Sequence, residues 1–282
     1  MQWLVDHAKN VNIKRSDVSS FANSTVIART MTTDEGLTTV EAVEKFMMAG
    51  TGRDSPATFL AWEDALGNDA NNAQFHRFNN NEAFSYSWSH LRGCTGFFIV
   101  SKRGVYVAHY WETIGFNQHK IPNPDDPTAE PTTRYKTQGI AFYNTITRGL
   151  RSGINRGGVA EQDSLRGHAQ EIDDDSIHAF LMIPQTGNSD VGIGPEDPYR
   201  KYWEKMKKEV GMILPRLNNP DRWHEYKYAP AQDKEWVGAF DPLEHSARGR
   251  LLFKYDPDHH GKKKTFLMAE TTRLEEGCME WE

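Results

Sequence analysis

The sequence has few of the features that mark secreted, membrane-spanning or nucleic-acid-binding proteins. Only two cysteines, Cys94 and Cys278, occur in 282 residues, whereas a secreted disulfide scaffold would carry more. No apolar run approaches the roughly 20 residues that a membrane helix needs. The first seven residues (MQWLVDH) contain no basic region followed by an apolar one, so no secretory signal peptide is visible. We therefore expect a soluble protein with no membrane span.

An excess of basic residues is also absent. Lysine and arginine together number 33 against 39 aspartates and glutamates, which gives a formal net charge of −6. A mildly acidic chain without a dense basic stripe is a poor candidate for binding nucleic acid. Hydrophobic residues make up 38% and charged residues 26%, within the ordinary range of globular proteins. We expect one domain that spans residues 1–282.

Hydrophobic periodicity and capping signals predict both helices and strands. Helices are predicted at about 39–49, with Thr38 as N-cap, and at 55–67, 133–150 and 197–214. Strands are predicted at 82–90, 96–101, 105–112, 177–184, 222–229, 248–256 and 263–271, with loops at 68–81 and 115–133. This order favours an α+β fold, an α/β sandwich in which helices flank a central, mostly antiparallel mixed sheet.

Cys94 and His109 are the candidate catalytic residues. Cys94 lies in the run LRGCTG (91–96), and His109 follows 15 residues later on the next predicted strand. A cysteine attacks as the thiolate, and a nearby imidazole can take its proton. Gly93 and Gly96 leave space for a substrate carbonyl, and the backbone N–H of Cys94 could contribute to an oxyanion hole.

The spacing of this pair raises a geometric difficulty. A two-residue turn at Arg103-Gly104 would set His109 opposite Phe98, on the same face as Cys94 but four residues away. That offset is about 13 Å in a flat hairpin, so we expect residues 93–96 to curl back over the strand. The structural alternative is that Cys94 is a small buried hydrophobic residue and His109 a sheet histidine.

The signature Leu91-x-Gly93-Cys94, followed by a hairpin strand that carries His109, resembles the catalytic core of the cytotoxic necrotizing factor family of bacterial glutamine deamidases. Burkholderia lethal factor shares that core, and the resemblance covers about residues 84–112. It implies an α/β sandwich, with Cys94 as nucleophile and His109 as general acid/base. A main-chain carbonyl orients the histidine in this family, and residues 86–88 are where we expect it. We expect no cofactor and no metal.

The resemblance also implies a reaction and a partner. Cys94 would attack the carboxamide of a glutamine in a host protein, such as a small GTPase or a translation factor, and water would release glutamate. An amine in place of water would give transglutamination as a side activity. The implied site of action is the cytoplasm of a host cell, reached as a toxin or effector. The same pair could serve another thiol amidohydrolase or a protease.

Other candidates are weaker. His168 and Glu171 have metal-ligand spacing before three aspartates at 173–175, but a solvated acidic loop is the favoured interpretation. His259 and His260 lie in a predicted turn. A non-catalytic, aromatic-rich interaction domain is the competing hypothesis from another class, with a binding face made of Tyr86, Trp88, Tyr110 and Trp111.

Overall fold

The computed structural model describes residues 31–51, 57–59, 70–78, 82–118, 120–121, 130, 132–156, 159–185, 199–231, 235 and 240–282. Its strands in chain order are β1 (Thr58–Phe59), β2 (Asn72–Arg77), β3 (Phe84–Trp88), β4 (Thr95–Val100), β5 (Gly104–Tyr110), β6 (Lys120–Ile121), β7 (Thr132–Thr133), β8 (Ile154–Arg156), β9 (Val159–Gln162), β10 (His178–Pro184), β11 (Trp223–Tyr228), β12 (Leu251–His259), β13 (Lys262–Ala269), β14 (Thr272–Arg273) and β15 (Glu280–Trp281).

The α-helices are α1 (Val40–Thr51), α2 (Gln138–Phe142), α3 (Arg148–Ser152), α4 (Ala169–Ile172) and α5 (Arg200–Ile213). A π-helical turn, Tyr143–Thr147, joins α2 to α3, and a second one, Glu112–Phe116, follows β5. Short 3₁₀ turns occupy Pro215–Asn218, Pro220–Arg222 and Glu275–Gly277. Within the described residues, none of the helices combines the length and the apolar character that crossing a membrane would require.

A seven-stranded sheet in the order β11-β10-β4-β5-β2-β9-β8 carries the candidate site. The pairs β10–β11 and β2–β9 are parallel, and the other pairs are antiparallel. One face packs against the helices, where Trp203 and Met206 of α5 meet Phe97 and Tyr106 of the sheet. The spacing of apolar residues on α5 follows the helical period, which explains why this helix was predictable.

The other face of this sheet packs against a second sheet, ordered β1-β3-β12-β13-β14 with β15 on β13. Phe98 and Val107 from the first sheet meet Trp88 and Phe253 from the second in one buried cluster. The chain therefore forms an α+β sandwich, as predicted. The strands of the carboxyl-terminal part, however, join β1 and β3 in the second sheet, because β12 pairs with β3 rather than with β10 or β11.

Several local predictions were wrong, and the helix predicted at 133–150 begins only at Gln138, after β7. Residues 68–81 were expected to be loop, but Asn72–Arg77 forms β2 and pairs with β5 along six residues. Within the predicted helix at 55–67, residues 58–59 form the strand β1 beside β3; the rest of that segment, apart from residue 57, lies outside the described residues. The first predicted helix exists as α1, but Thr39 rather than Thr38 accepts the capping hydrogen bond, from the Ala42 N–H.

Candidate functional site

The turn between β4 and β5 is longer than the sequence suggested, and this roughly halves the expected offset between Cys94 and His109. Val100 pairs with Val105, so the connection contains four residues rather than two. Ser101 builds this turn: its N–H donates to the Gly104 carbonyl at 3.0 Å and its Oγ accepts from the Arg103 N–H at 3.0 Å.

The change of turn shifts the register by two residues. His109 lies opposite Gly96 rather than Phe98, and it is therefore two residues along the hairpin from Cys94, not four. The offset along the strand falls to about 7 Å, the spacing of diagonal neighbours on one face of a sheet. The expected curl of residues 93–96 is not needed to bring the two residues near one another.

Cys94 and His109 face the same side of the sheet, toward the second sheet. Side chains alternate along a strand, and on β4 the even-numbered Phe98 lies in the buried cluster between the sheets together with Cys94. On β5 the odd-numbered Val107 lies in the same cluster, which assigns His109 to that side. Cys94 retains 8% exposure and His109 4%.

Aromatic rings enclose the space next to Gly96. A Cβ at Gly96 would lie 2.5 Å from Cζ2 of Trp88, so the indole packs directly on the glycine backbone. The ring centroids of Trp88 and Trp111 are 6.2 Å and 5.8 Å from that of His109. The absence of a side chain at position 96 is thus what lets the indole lie beside the imidazole.

Asn72 of β2 is the neighbour of His109 on the other side, since the two residues are paired across the ladder. Its side-chain amide donates to the Ala70 carbonyl at 3.2 Å and is buried. No sequence signal indicated this residue, because it lies in the segment predicted to be loop.

Hydrogen bonds from distant side chains fix the backbone at Cys94. The Tyr228 hydroxyl donates to the Cys94 carbonyl at 2.8 Å, and burial, followed by the proximity of Cys94, raises the pKa of Tyr228, which stays protonated. On the opposite face of β4, the Trp203 indole N–H donates to Oγ1 of Thr95 at 3.0 Å. Neither contact has a sequence signal, since both join residues more than 100 positions apart.

Gly93 is required by a buried acid. A Cβ at Gly93 would overlap Oε2 of Glu112, the first residue of the π-helical turn after β5. The other carboxyl oxygen of Glu112 accepts a hydrogen bond from the Tyr199 hydroxyl at 2.8 Å. The glycine preceding Cys94 therefore serves close packing against this carboxyl group.

Burial lowers the pKa of His109 to about 4, because the charged imidazolium would lose its hydration. The imidazole is therefore neutral at pH 7, and the same burial makes it a weaker base than a solvated histidine. Its Nδ1 is buried and has no hydrogen-bond partner among the described residues, and this includes the backbone of β3, where we expected an orienting carbonyl. Nε1 of Trp88 is a second buried polar atom without a partner in the described part of the chain.

The side chains of the candidate metal site at His168 and Glu171 make hydrogen bonds and ion pairs within the protein. His168 Nδ1 and Glu171 form a hydrogen bond of 2.8 Å, and Asp173 and Asp175 pair with Arg216, in keeping with the acidic-loop interpretation.

His259 ends β12, and His260 follows it at the tip of the β12–β13 hairpin. His259 contacts Lys264 Nζ at 3.2 Å, and His260 is exposed at the hairpin tip. Both cysteines are free thiols.

The proposed aromatic binding face does not exist as a surface. Tyr86, Trp88 and Tyr110 are buried, and Tyr110 packs on the helical side of the sheet whereas Trp88 packs on the other. The interpretation of these rings as an exposed docking face was wrong, because the second sheet covers one side and the helices cover the other.

Comparison with known proteins gives little further identification. No protein-family model matches the chain, and no curated protein matches it. Among solved structures, the C-terminal domain of CNFy from Yersinia pseudotuberculosis is similar at a TM-score of 0.29 and 9% sequence identity. The match covers 73% of this chain and 56% of that one, so the chain spans little more than half of the matched structure. A likeness at this level carries no argument about the activity.

Proposed function

We propose that this protein is a cysteine-dependent deamidase that converts a glutamine of a target protein to glutamate. One observation carries the proposal: a neutral, buried imidazole at His109 lies on the same sheet face as the Cys94 thiol, one diagonal step along the hairpin. The LxGC signature at 91–94 supports the same assignment through its resemblance to the glutamine deamidases described above.

The first half of the reaction forms a thioester. Cys94 Sγ attacks the side-chain carbonyl carbon of glutamine while His109 accepts the thiol proton, so that no thiolate has to exist in the buried site beforehand. The C–N bond of the tetrahedral intermediate then breaks, and the protonated His109 gives its proton to the departing nitrogen, which leaves as ammonia.

The second half consumes water. His109, neutral again, takes a proton from a water molecule that attacks the thioester carbonyl, and the C–S bond breaks. The sulfur recovers the proton from His109, and the product is glutamate. A primary amine in place of water would give the transglutamination product by the same steps.

The unpartnered polar atoms support a site for a carboxamide. Buried polar groups in folded proteins are almost always hydrogen-bonded, so His109 Nδ1 and Trp88 Nε1 call for an explanation. Both rings lie beside Gly96, on which the Trp88 indole packs directly, so the two atoms belong to one buried cluster next to the hairpin. A glutamine carboxamide offers both an acceptor and a donor, which matches an indole N–H and a neutral imidazole.

The substrate is accordingly a protein that presents an accessible glutamine, and a small GTPase or a translation factor in the host cytoplasm is the class that the resemblance favours. The narrow exposure of Cys94 favours an unbranched side chain such as glutamine over a main-chain amide flanked by two residues. This is the reason to prefer deamidation to proteolysis.

The test is incubation of the purified full chain with a eukaryotic cell lysate, followed by peptide mass spectrometry and a coupled ammonia assay. Deamidation predicts a mass gain of about 1 Da on a small number of glutamines, with ammonia released in step. Cys94→Ser and His109→Gln should abolish both signals. Cys278→Ser is the matched thiol control and should retain them.

The alternatives give different products in the same samples. New peptide termini that depend on Cys94 would indicate a thiol protease instead. If Cys94→Ser keeps both signals, or if no lysate protein changes in a Cys94-dependent way, the proposal is wrong. Either result would favour a non-catalytic interaction domain.

A further inference from the structure

The segment that leads to Cys94 carries a second cluster of chemically active side chains. His90 lies four residues before Cys94, and its imidazole faces Asp241 and Glu244 of the segment that precedes β12. One donor atom from each of the three residues lies within 4.8 Å of the others. Among the described residues, no other group of three or more histidine, cysteine, aspartate or glutamate side chains brings its ligand atoms so close together.

The geometry points to a zinc(II) site formed by His90, Asp241 and Glu244. His90 Nε2 and Asp241 Oδ2 are 3.9 Å apart, which is too far for a direct hydrogen bond. In a tetrahedral zinc site with bonds of about 2.0–2.1 Å, two ligand atoms lie about 3.4 Å apart, so an approach of about 0.5 Å by these side chains would let them share one ion. Glu244 is exposed and can close the remaining distance by side-chain rotation.

His90 and Asp241 are already held in orientation by neighbouring groups. His90 Nδ1 lies 2.7 Å from Ser89 Oγ, and when Nδ1 donates its proton there, Nε2 presents a lone pair toward Asp241. Oδ1 of Asp241 accepts the Leu243 N–H at 2.8 Å, which leaves Oδ2 directed at the imidazole. Such outer contacts are what fix metal ligands in known sites.

The backbone holds His90 in place for this role. Its φ is +61°, in the left-handed region that non-glycine residues rarely adopt. The next residue is tied to the opposite segment, since the Leu91 N–H donates to the Gly249 carbonyl at 3.1 Å. Gly249, itself at φ +61°, packs so closely on Leu91 that a Cβ would lie 2.7 Å from the Leu91 carbonyl oxygen.

The donor set selects the class of ion. One imidazole nitrogen with two carboxylates suits zinc and related transition metals, whereas magnesium and calcium prefer oxygen ligands throughout. Three protein ligands leave a fourth position of the tetrahedron for water. Bound zinc would tie the residues just before Cys94 to the segment before β12, and it would do so whether or not Cys94 is catalytic.

The experiment measures zinc binding to the full chain after chelator treatment, by competition with a chromophoric chelator and by thermal unfolding. We expect one zinc per chain and a rise in melting temperature on adding ZnCl₂. His90→Asn and Asp241→Asn should weaken binding by about tenfold or more. Asparagine is chosen because it tolerates φ > 0 at position 90 and can keep the Leu243 contact at position 241.

Two controls separate this site from other ligands. His260→Gln removes an exposed histidine elsewhere and should leave the affinity unchanged. Cys94 and His109 could bind zinc on their own, and Cys94→Ser tests for that rival site. If zinc binds at His90, this variant should leave the affinity unchanged. With Co²⁺ as probe, an N/O site gives visible bands without the near-ultraviolet band of a thiolate ligand. Absence of binding, binding lost in Cys94→Ser, or binding unaffected by both ligand variants would overturn the assignment.

Discussion

Acidification should destabilise the protein through His109 specifically. In the folded protein burial lowers the pKa of this imidazole to about 4, against an ordinary value of 6.5. Between these two values the unfolded chain binds a proton that the folded chain does not. Stability is therefore complete above pH 6.5 and is lost as the pH falls toward 4.

The size of this loss follows from the two pKa values. A difference of one pKa unit corresponds to 1.36 kcal/mol, so the full effect is about 3 kcal/mol of unfolding free energy. By pH 5 it amounts to about 2 kcal/mol. Most single domains have only 5–15 kcal/mol in total, so a loss of this size is readily measured.

The assay is urea unfolding of the wild type and of His109→Gln at several pH values from 7.5 to about 4.5. Other half-buried histidines whose pKa is lowered, among them His76 and His178, titrate in both proteins and cancel in the difference. The wild-type stability should fall more steeply with acid than that of the variant. Parallel curves would refute the reasoning, because His109 would then be protonated as easily in the folded as in the unfolded state.

Three further predictions concern the contacts that support Cys94. Tyr228→Phe removes the donor to the Cys94 carbonyl and should cost about 1–3 kcal/mol in denaturant unfolding, with an increase in the rate of Cys94 alkylation as its backbone loosens. Gly93→Ala introduces a Cβ against Glu112 and should destabilise by about 1–3 kcal/mol, whereas an alanine effect of a few tenths would show that the two groups are not in contact. Tyr199→Phe removes the hydroxyl that donates to Glu112 at 2.8 Å and should cost about 1–3 kcal/mol; in the background of Glu112→Gln, whose neutral amide oxygen accepts a weaker hydrogen bond, the same change should cost only about 0.5–1.5 kcal/mol.

Strands that alternate regularly, such as β3, or form short apolar runs, such as β4 and β10, were predictable from the sequence, and β3, β4, β5 and β10 lie close to where they were expected. The strand β2 was missed because its residues (NAQFHR) follow an asparagine-rich segment and do not alternate clearly between polar and apolar. Periodicity shows which face of a strand is buried but not which strand it pairs with. For that reason the division into two sheets could not be predicted.

Cys94 and His109 were chosen as candidates from the sequence, but their arrangement could not be predicted. The register of the β4–β5 hairpin depends on hydrogen bonds of Ser101, a local detail that changes the turn from two residues to four. The partners of Gly93 and of the Cys94 carbonyl come from segments far away in the chain, Glu112 and Tyr228. The low pKa of His109 depends on burial between two sheets, which no local pattern encodes.

The rate of Cys94 alkylation by iodoacetamide in the native protein tests the cooperation of Cys94 and His109 most directly. Cys278→Ser provides a background with a single thiol, and His109→Gln is compared with it under conditions where both are folded. We expect Cys94 to react from the native state and His109→Gln to slow the reaction by at least about tenfold. If the two proteins react at equal rates, each no faster than global unfolding, the Cys94 thiol is buried for packing alone. That result would refute the cooperation of Cys94 and His109.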